Sequence, residues 1–358
     1  MLLTDEMASD LALVYTDTSV TLYEGDALAI LPLLASASVQ LILVDPPYMG
    51  VKKAEAWDNQ WPTRDAYLKW LRQLAMEWQR ILAPNGSLYC FASPQMAAHV
   101  EVMLEEMFTV IQRITWRKPP FSTKAEMFDK DSCRMFFPAS EAIIFCEHRN
   151  ADSMAVDESG YRKQCIDLHA QVFGRVFGNY LKSEFERACV TQKQIAALFP
   201  SRTGGMTGCV SNWLIGYNQP TADQYTTMRD FLNNRGGEYS YLRKDYESLR
   251  KDYESLRKDY ESLRRPFTVS AKVPYTDVWE FATVSAGKAK HPCEKPLPLL
   301  RHIITASSRP GDTVLDCMAG SCNTLEAARQ CGRKNIGIEA DPAYVALGVS
   351  MLRQQQLF

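Results

Sequence analysis

No two of the ten cysteines in this 358-residue chain form a CxxC pair, and none joins a histidine at zinc-ligand spacing. They stand singly at 90, 133, 146, 165, 189, 209, 293, 317, 322 and 331. That pattern excludes a zinc-ribbon or disulfide-stapled module and fits reduced thiols in a cytoplasmic protein without a metal. The first ten residues, MLLTDEMASD, lack a basic segment followed by an apolar core, so no secretory signal is expected. Residues 27–44 carry no charge, but Pro32, Ser36, Ser38 and Gln40 interrupt them, so no membrane span is expected. A charge excess is also missing: 40 Lys and Arg face 42 Asp and Glu, a formal net charge of -2. A uniformly basic coat for nucleic acid is thereby excluded, though a local basic face is not. Apolar residues at 46% and charged residues at 23% leave no room for a disordered chain. The length suits roughly two domains.

Residues 39–44, Val-Gln-Leu-Ile-Leu-Val, form a continuous apolar run, as in the central strand of a parallel sheet buried on both faces. Residues 65–82 place Leu68, Leu71, Leu74, Ala75, Trp78 and Ile81 on one helical face. Strands are expected at 87–91, 110–116 and 142–146, with a helix at 95–107. Residues 117–140 are irregular, with Pro119, Pro120 and Pro138. Alternation resumes after Pro266, with helices at 297–308, 325–331 and 342–354 and strands at 313–316 and 335–339. Alternating strands and helices define an α/β sheet. Residues 160–265 read as helical, without parallel strands. The expected architecture is one α/β domain built from 1–150 and 266–358, with a helical insert at 151–238 and a heptad helix at 239–265.

The heptad segment is a perfect repeat: LRKDYES occurs at 242–248, 249–255 and 256–262. Tyr239, Tyr246, Tyr253 and Tyr260 are seven apart, and Leu242, Leu249, Leu256 and Leu263 each follow a Tyr by three. Tyr at a and Leu at d predict a helix of nearly four heptads. In a parallel dimer Asp245 would face Arg250 of the partner, while Glu247 with Lys251 and Glu254 with Lys258 would pair along the helix. The plain alternative is a solitary helix packing its stripe on its own chain.

The motif richest in chemistry is Asp45-Pro46-Pro47-Tyr48, directly after the buried strand. Ligands of open α/β sheets bind beyond the carboxyl ends of strands. Two prolines stiffen the turn and remove two donors, leaving carbonyl acceptors. With the Asp45 carboxylate and the Tyr48 ring, they can hold an exocyclic amino group and stack its base. A second strand-turn-helix runs from Val314 to Thr324. Its small residues let backbone approach a nucleotide-like ligand. One strand further, Glu339 offers a carboxylate for ribose hydroxyls. Lys295, in His291-Pro-Cys-Glu-Lys295-Pro296, can pair with a ligand carboxylate.

In this order the blocks resemble the amino-methylating DNA methyltransferases of the beta order. In that family a DPPY block comes first, a target-recognition insert follows and the S-adenosylmethionine block comes last. Gly25-Asp26 resembles the acidic motif that contacts the cofactor adenine. Asp45–Tyr48 matches the catalytic motif, and residues 114–118 and 141–145 resemble later strand motifs. His291–Pro296 matches the HPxxKP block, Asp316–Thr324 the D-x-F-x-G-S-G-x-T loop, and Gly337–Asp341 the GIE-x-D segment. The resemblance covers about 1–150 and 285–350, and the whole chain looks most like phage and prophage-type adenine methylases. Two positions depart from the pattern: Met318 stands for Phe, and Cys322 for Gly.

The resemblance implies a Rossmann-like mixed sheet in permuted motif order with an inserted helical target-recognition domain. It implies Asp45, Pro46, Pro47 and Tyr48 as catalytic residues. Asp26, His291, Lys295, Asp316, Met318, Gly320, Ser321, Asn323, Thr324 and Glu339 would bind S-adenosylmethionine. The activity implied is adenine-N6 methylation of a base flipped from double-stranded DNA, as in restriction-modification, in the cytoplasm of a bacterial or phage-infected cell. DPPY rather than SPPY favours adenine over cytosine N4 in this family. A non-catalytic DNA-binding regulator is the alternative of another class.

The insert adds a second signal. Thr191 and Gln194 form a capping-box pattern before an expected helix at 192–199. A second helix at 207–215, ending at Gly216, and a third at 222–232 complete a unit like the helix-turn-helix of repressors. Thr207, Ser211 and Asn212, with Arg202 nearby, are candidate DNA contacts, as are Arg117 and Lys118 of the catalytic part. An ordinary three-helix packing unit is the plain alternative. Residues 162–219 carry seven basic and three acidic residues, and residues 1–60 carry two and nine. The overall neutrality is thus an average of unlike parts, and a homodimer on duplex DNA is the expected assembly.

Overall fold

The computed structural model describes residues 13–119, 134, 136, 138–148, 167–201, 205, 207–235, 240–269, 275–284 and 291–354. Arg202 and Tyr239 lie outside them. The chain divides into two compact units, Met1–Ala155 with Arg265–Phe358, and Val156–Arg264.

The first unit is built on a mixed sheet of nine strands: β1 (Leu13–Thr16), β2 (Val20–Glu24), β3 (Val39–Val44), β4 (Leu82–Ala92), β5 (Phe108–Arg117), β6 (Ser140–His148), β7 (Val278–Glu280), β8 (Thr313–Asp316) and β9 (Lys334–Glu339). Their order is β1-β2-β9-β8-β3-β4-β6-β5-β7. From β2 to β4 all neighbours are parallel. β6 runs antiparallel to both its neighbours, β4 and β5. The apolar run at 39–44 is therefore a central strand, as expected. The first part of the chain also forms the helices α1 (Ala27–Ile30), α2 (Arg64–Ile81) and α3 (Ala97–Glu105). Ile42 and Val44 point into one core, with Trp78 and Leu71 of α2. Leu41 and Leu43 point into the core on the opposite face, with Ile303 and Leu300 of the helix Leu297–Ser307. The hydrophobic gain on both faces explains why no polar residue but Gln40 interrupts the strand.

Parallel strands bring their carboxyl ends to one edge. The ends of β2, β3, β8 and β9 therefore present Gly25, Asp45, Asp316 and Glu339 side by side. β6 runs the other way, so its first residues, Ser140 and Glu141, reach that edge too. The sequence pattern missed β1, β2 and β7. β1 has only one buried residue, β2 interleaves Val20 and Leu22 with polar neighbours, and β7 is three residues long.

In the second unit α4 (Gly178–Arg187), α5 (Gln192–Ala196), α6 (Cys209–Ile215), α7 (Ala222–Asn233) and α8 (Tyr246–Leu263) share one core around Phe177, Leu181, Trp213 and Tyr225. Both Thr191 and Thr221 form capping boxes, with Gln194 and Gln224. Gly178 is required by packing: a Cβ there would sit 2.6 Å from the Leu214 carbonyl oxygen of α6.

The heptad expectation needs correction. The helix begins at Tyr246, inside the first repeat, rather than at 239. Asp245 caps it, accepting from Ser248 N at 2.9 Å, rather than facing a partner. Leu242 adopts a left-handed backbone, φ 49, and its N–H donates to Glu184 Oε2 at 2.6 Å. Tyr241 N and Lys244 N are likewise taken by Asn233 and Tyr180 side chains. Side-chain acceptors on α4 and α7 thus replace the helical ladder. Leu249 and Tyr253 are buried in the same chain's core, so the stripe packs intramolecularly. Arg250 pairs with Glu247 and Glu254 of its own helix, and the expected Lys251 and Lys258 pairs are replaced by these contacts. No helix among the described residues is long and apolar enough to cross a membrane.

Candidate active site

A cavity of about 370 Å³ opens at the carboxyl edge of the sheet. Its lining includes Asp45, Pro46, Pro47 and Tyr48, and also Asp26, His291, Lys295, Asp316, Met318, Gly320, Ser321, Asn323, Thr324 and Glu339. Three stretches far apart in sequence, at 25–60, 291–300 and 316–344, are thus brought to one hollow.

Asp45 leaves the end of β3. Its Oδ2 accepts from Lys295 Nζ, and its Oδ1 is buried without a hydrogen-bond partner. Burial raises its pKa, and the Lys295 ammonium pulls it back. An unmet buried acceptor costs about 1–3 kcal/mol. In a ligand cavity such an atom fits a donor brought by the bound molecule. Tyr48, buried beside it, donates to Glu141 Oε2 at 2.8 Å. Its backbone N–H donates to Asp58 Oδ1 at 2.5 Å, while Lys52 N donates to Asp58 Oδ2 at 2.6 Å. Asp58 is fully buried and fixes the turn after the two prolines.

Lys295 was expected to meet a cofactor carboxylate. In the structure its ammonium pairs with Asp45 and lies 3.5 Å from Glu141 Oε2. It also stands over the rings of Phe91, at 4.9 Å, and Tyr48, at 5.2 Å. Burial works against its charge, but the two carboxylates outweigh it and raise the pKa. Glu141 sits opposite. Burial raises its pKa, yet Lys295 and Lys118 bring it down to about 2.

The other side of the cavity is built from backbone. Gly320 has φ 49 and donates its N–H to Glu339 Oε2 at 2.7 Å. Glu339 Oε1 accepts from Asp341 N at 2.9 Å, so both oxygens are held while each keeps a lone pair. Asp26 caps the helix Ala27–Ile30, accepting from Leu28 N. Asp316 Oδ1 accepts from Met318 N, and burial raises its pKa to about 7. Asn323 donates its amide to Glu294 Oε1 and the Lys295 carbonyl. His291 stacks against Trp57 and meets Tyr344 edge-on. Burial and the nearby Lys295 lower its pKa to about 4, so the imidazole is neutral at pH 7.

Cys322, where the family loop has Gly, keeps the glycine-like backbone, φ 62. Its side chain is wholly buried and fits because Gly348 faces it: a Cβ on Gly348 would clash with the thiol.

The DNA-contact candidates are dispersed. Arg117 pairs with Glu280 on the surface. Lys118 Nζ is bound to Glu141 Oε1 at 2.5 Å, which turns it into the site rather than outward. On α6, Val210 and Trp213 are buried, Ser211 is exposed and takes a hydrogen bond from Gln192, and Asn212 is half-buried. Thr207 donates to the Phe199 carbonyl at 2.9 Å. Sequence reasoning missed Asp58, Trp57 and Tyr344, and it assigned Glu141 no role. Asp58, Trp57 and Tyr344 stand in no motif, and Glu141 stands in a strand motif with no role attached; each is recruited by the fold.

The sheet, the permuted order and this cavity define a nucleotide-type methyltransferase fold. A family model described as DNA methylase matches residues 39–350, and the chain belongs to that family. It is 25% identical over 335 residues to the DNA adenine methyltransferase YhdJ of Escherichia coli (strain K12), covering 93% of this chain and 82% of that protein. It is 25% identical over 316 residues to the type II methyltransferase M.EcaI of Enterobacter cloacae, covering 84% and 61%. The fold matches the PvuII DNA methyltransferase (cytosine-N4-specific) with a TM-score of 0.52 at 15% identity, over 95% of this chain and 88% of that one.

Proposed function

We propose that the protein is a DNA adenine-N6 methyltransferase using S-adenosylmethionine. The observation that carries this reading is the orphaned Asp45 Oδ1 in the cavity, beside the Pro46 carbonyl and the Tyr48 ring. A primary amino group offers two N–H donors. Asp45 takes one and the Pro46 carbonyl the other, while Tyr48 stacks on the base. The amine lone pair is then left free and aimed across the cavity. S-adenosylmethionine, when bound, supplies an electrophilic methyl on a sulfonium. Glu339 and Asp26 would accept from its hydroxyl and amino groups, and the turn at 318–321 would offer it backbone groups. Rate enhancement comes from alignment of nucleophile and electrophile, worth up to about 7–11 kcal/mol in well-oriented systems. Asp45 also opposes the positive charge that grows on the nitrogen. No side chain becomes covalently attached.

The target base must leave the duplex to reach this depth. The unit Val156–Arg264, with Ser211 and Asn212 on α6 and Arg202 beyond the described residues, is the target-recognition part in this reading. Arg117 contributes a phosphate contact. The enzyme works as bacterial DNA is found, in the cytoplasm. The intramolecular burial of Leu249 and Tyr253 speaks against dimerisation through the heptad stripe, so a homodimer would need another surface. Adenine is preferred over cytosine because of DPPY and the likeness to an adenine methylase over 93% of the chain. The test is an Asp45→Ala variant with S-adenosylmethionine and DNA from a methylation-free host. Loss of methylation by 100-fold or more, with cofactor affinity kept, is expected; undiminished methylation overturns the reading.

A further inference from the structure

One acidic residue to which the sequence attached no role meets both the Tyr48 hydroxyl and the Lys295 ammonium beside the catalytic turn. Glu141 stands at the start of β6, brought to the cavity edge because β6 runs antiparallel to β4. The groups facing it come from three other elements: Tyr48 from the turn after β3, Lys118 from beyond the end of β5, and Lys295 from the loop before the helix Leu297–Ser307. Tyr48 donates its hydroxyl to Oε2 at 2.8 Å, and Lys118 donates to Oε1 at 2.5 Å. Lys295 lies 3.5 Å from Oε2 while bonded to Asp45. The two carboxylates and two ammoniums balance to zero. Both Lys295 and Glu141 are nearly solvent-free, with side chains 7% and 14% exposed, so little water screens the set.

We propose that Glu141 is a positioning residue for methyl transfer: it anchors the Tyr48 hydroxyl and shares the Lys295 ammonium with Asp45. This rests on the functional reading above. The physical argument concerns Asp45 Oδ1. A buried ammonium paired with Asp45 alone would neutralise the carboxylate that must face a nitrogen gaining positive charge. A second carboxylate on the same ammonium divides that attraction and leaves Oδ1 electrostatically available. The hydroxyl bond meanwhile fixes the plane of the Tyr48 ring, on which the base stacks. Lys118 closes the other Glu141 oxygen, which otherwise would be a buried unmet acceptor. Lys118 is thereby part of the catalytic half, rather than a phosphate contact.

The test uses the full-length enzyme, S-adenosylmethionine and plasmid DNA from a methylation-free host. Glu141→Gln keeps an acceptor for Tyr48 and removes the charge. Its kcat is expected to fall 10- to 100-fold, with cofactor affinity by calorimetry unchanged within twofold. The acid limb of its kcat–pH profile moves to lower pH, because Glu141 no longer raises the Asp45 pKa. A purely structural role would lower activity and unfolding midpoint together without moving that limb. Should Glu141→Gln fail to fold, Lys118→Met reads the network from its outer end. It should lower kcat several-fold with KM for DNA unchanged; a raised KM with unchanged kcat overturns the inference and returns Lys118 to phosphate binding. If the wild-type enzyme methylates DNA and Glu141→Gln matches it in kcat and pH profile, the inference alone fails. If the wild-type enzyme transfers no methyl group, the functional reading fails with it.

Discussion

Replacing Gly348 by alanine tests how this chain accommodates a cysteine in its cofactor loop. Gly348 lies within the helix Pro342–Gln354, and Cys322 at the start of the helix Asn323–Gln330. A Cβ at 348 would intrude on the Cys322 thiol and lie 3.3 Å from the Cys322 Cβ. Cys322 is wholly buried, so its thiol has no empty space to enter. Overpacking of this kind costs about 1–3 kcal/mol. Alanine in a helix interior gains about 1 kcal/mol over glycine. The net loss for Gly348→Ala is then on the order of 0–2 kcal/mol. In a Cys322→Gly background the thiol is gone and the gain of about 1 kcal/mol remains. The same substitution should therefore destabilise one protein and stabilise the other. The coupling, about 1–3 kcal/mol, exceeds the roughly 0.5 kcal/mol scatter of independent sites. Urea unfolding of the four proteins in the cycle measures it. An identical shift of midpoint in both backgrounds would refute the packing argument.

Asp58→Ala removes the acceptor for the Tyr48 and Lys52 backbone N–H groups. We expect kcat for methylation to fall at least 10-fold while isothermal titration with S-adenosylmethionine changes little. Asp316 has its folded pKa raised by burial from 3.8 to about 7, so the folded state holds this proton more tightly than the unfolded chain. Its contribution is fully present below about pH 4 and is lost as pH rises to about 7. Stability of wild type relative to Asp316→Asn should thus fall by up to about 1.4 kcal/mol per pH unit across that window and level off above it. Denaturation at pH 4.5, 6 and 7.5 checks the sign, and a relative gain with pH would contradict it. On α6, Ser211→Ala with Asn212→Ala should weaken binding to the methylated sequence more than to random duplex. Unchanged discrimination in competition titrations would leave the helix as packing only.

Much of the sheet was legible because its central strands are buried on both faces, which β3 shows as an apolar run. β2 carries the turn to Asp26 yet was not seen, since its alternation is short and mixed with polar residues. The cavity residues were legible where a short motif carries them. Their pairings were not. Lys295 and Asp45 are 250 positions apart, and only the parallel order of β8 and β3 brings them together. Glu141 lay in a strand motif that carried no role, and its place at the cavity follows from the reversed direction of β6. The heptads show the opposite failure. Three identical repeats predict three identical conformations, but Glu184 and Tyr180 capture the backbone of the first, and Asn233 that of Tyr241 just before it. Tertiary partners decided there against local periodicity.

In the proposed function this cavity methylates the exocyclic nitrogen of adenine in DNA. Mass spectrometry of nucleosides tests it most directly, after incubation of unmethylated duplex DNA with the enzyme and S-adenosylmethionine carrying a labelled methyl group. The account predicts label in N6-methyladenine, absent with Asp45→Ala. Label in N4-methylcytosine alone, or no labelled nucleoside from the wild-type enzyme, would contradict it.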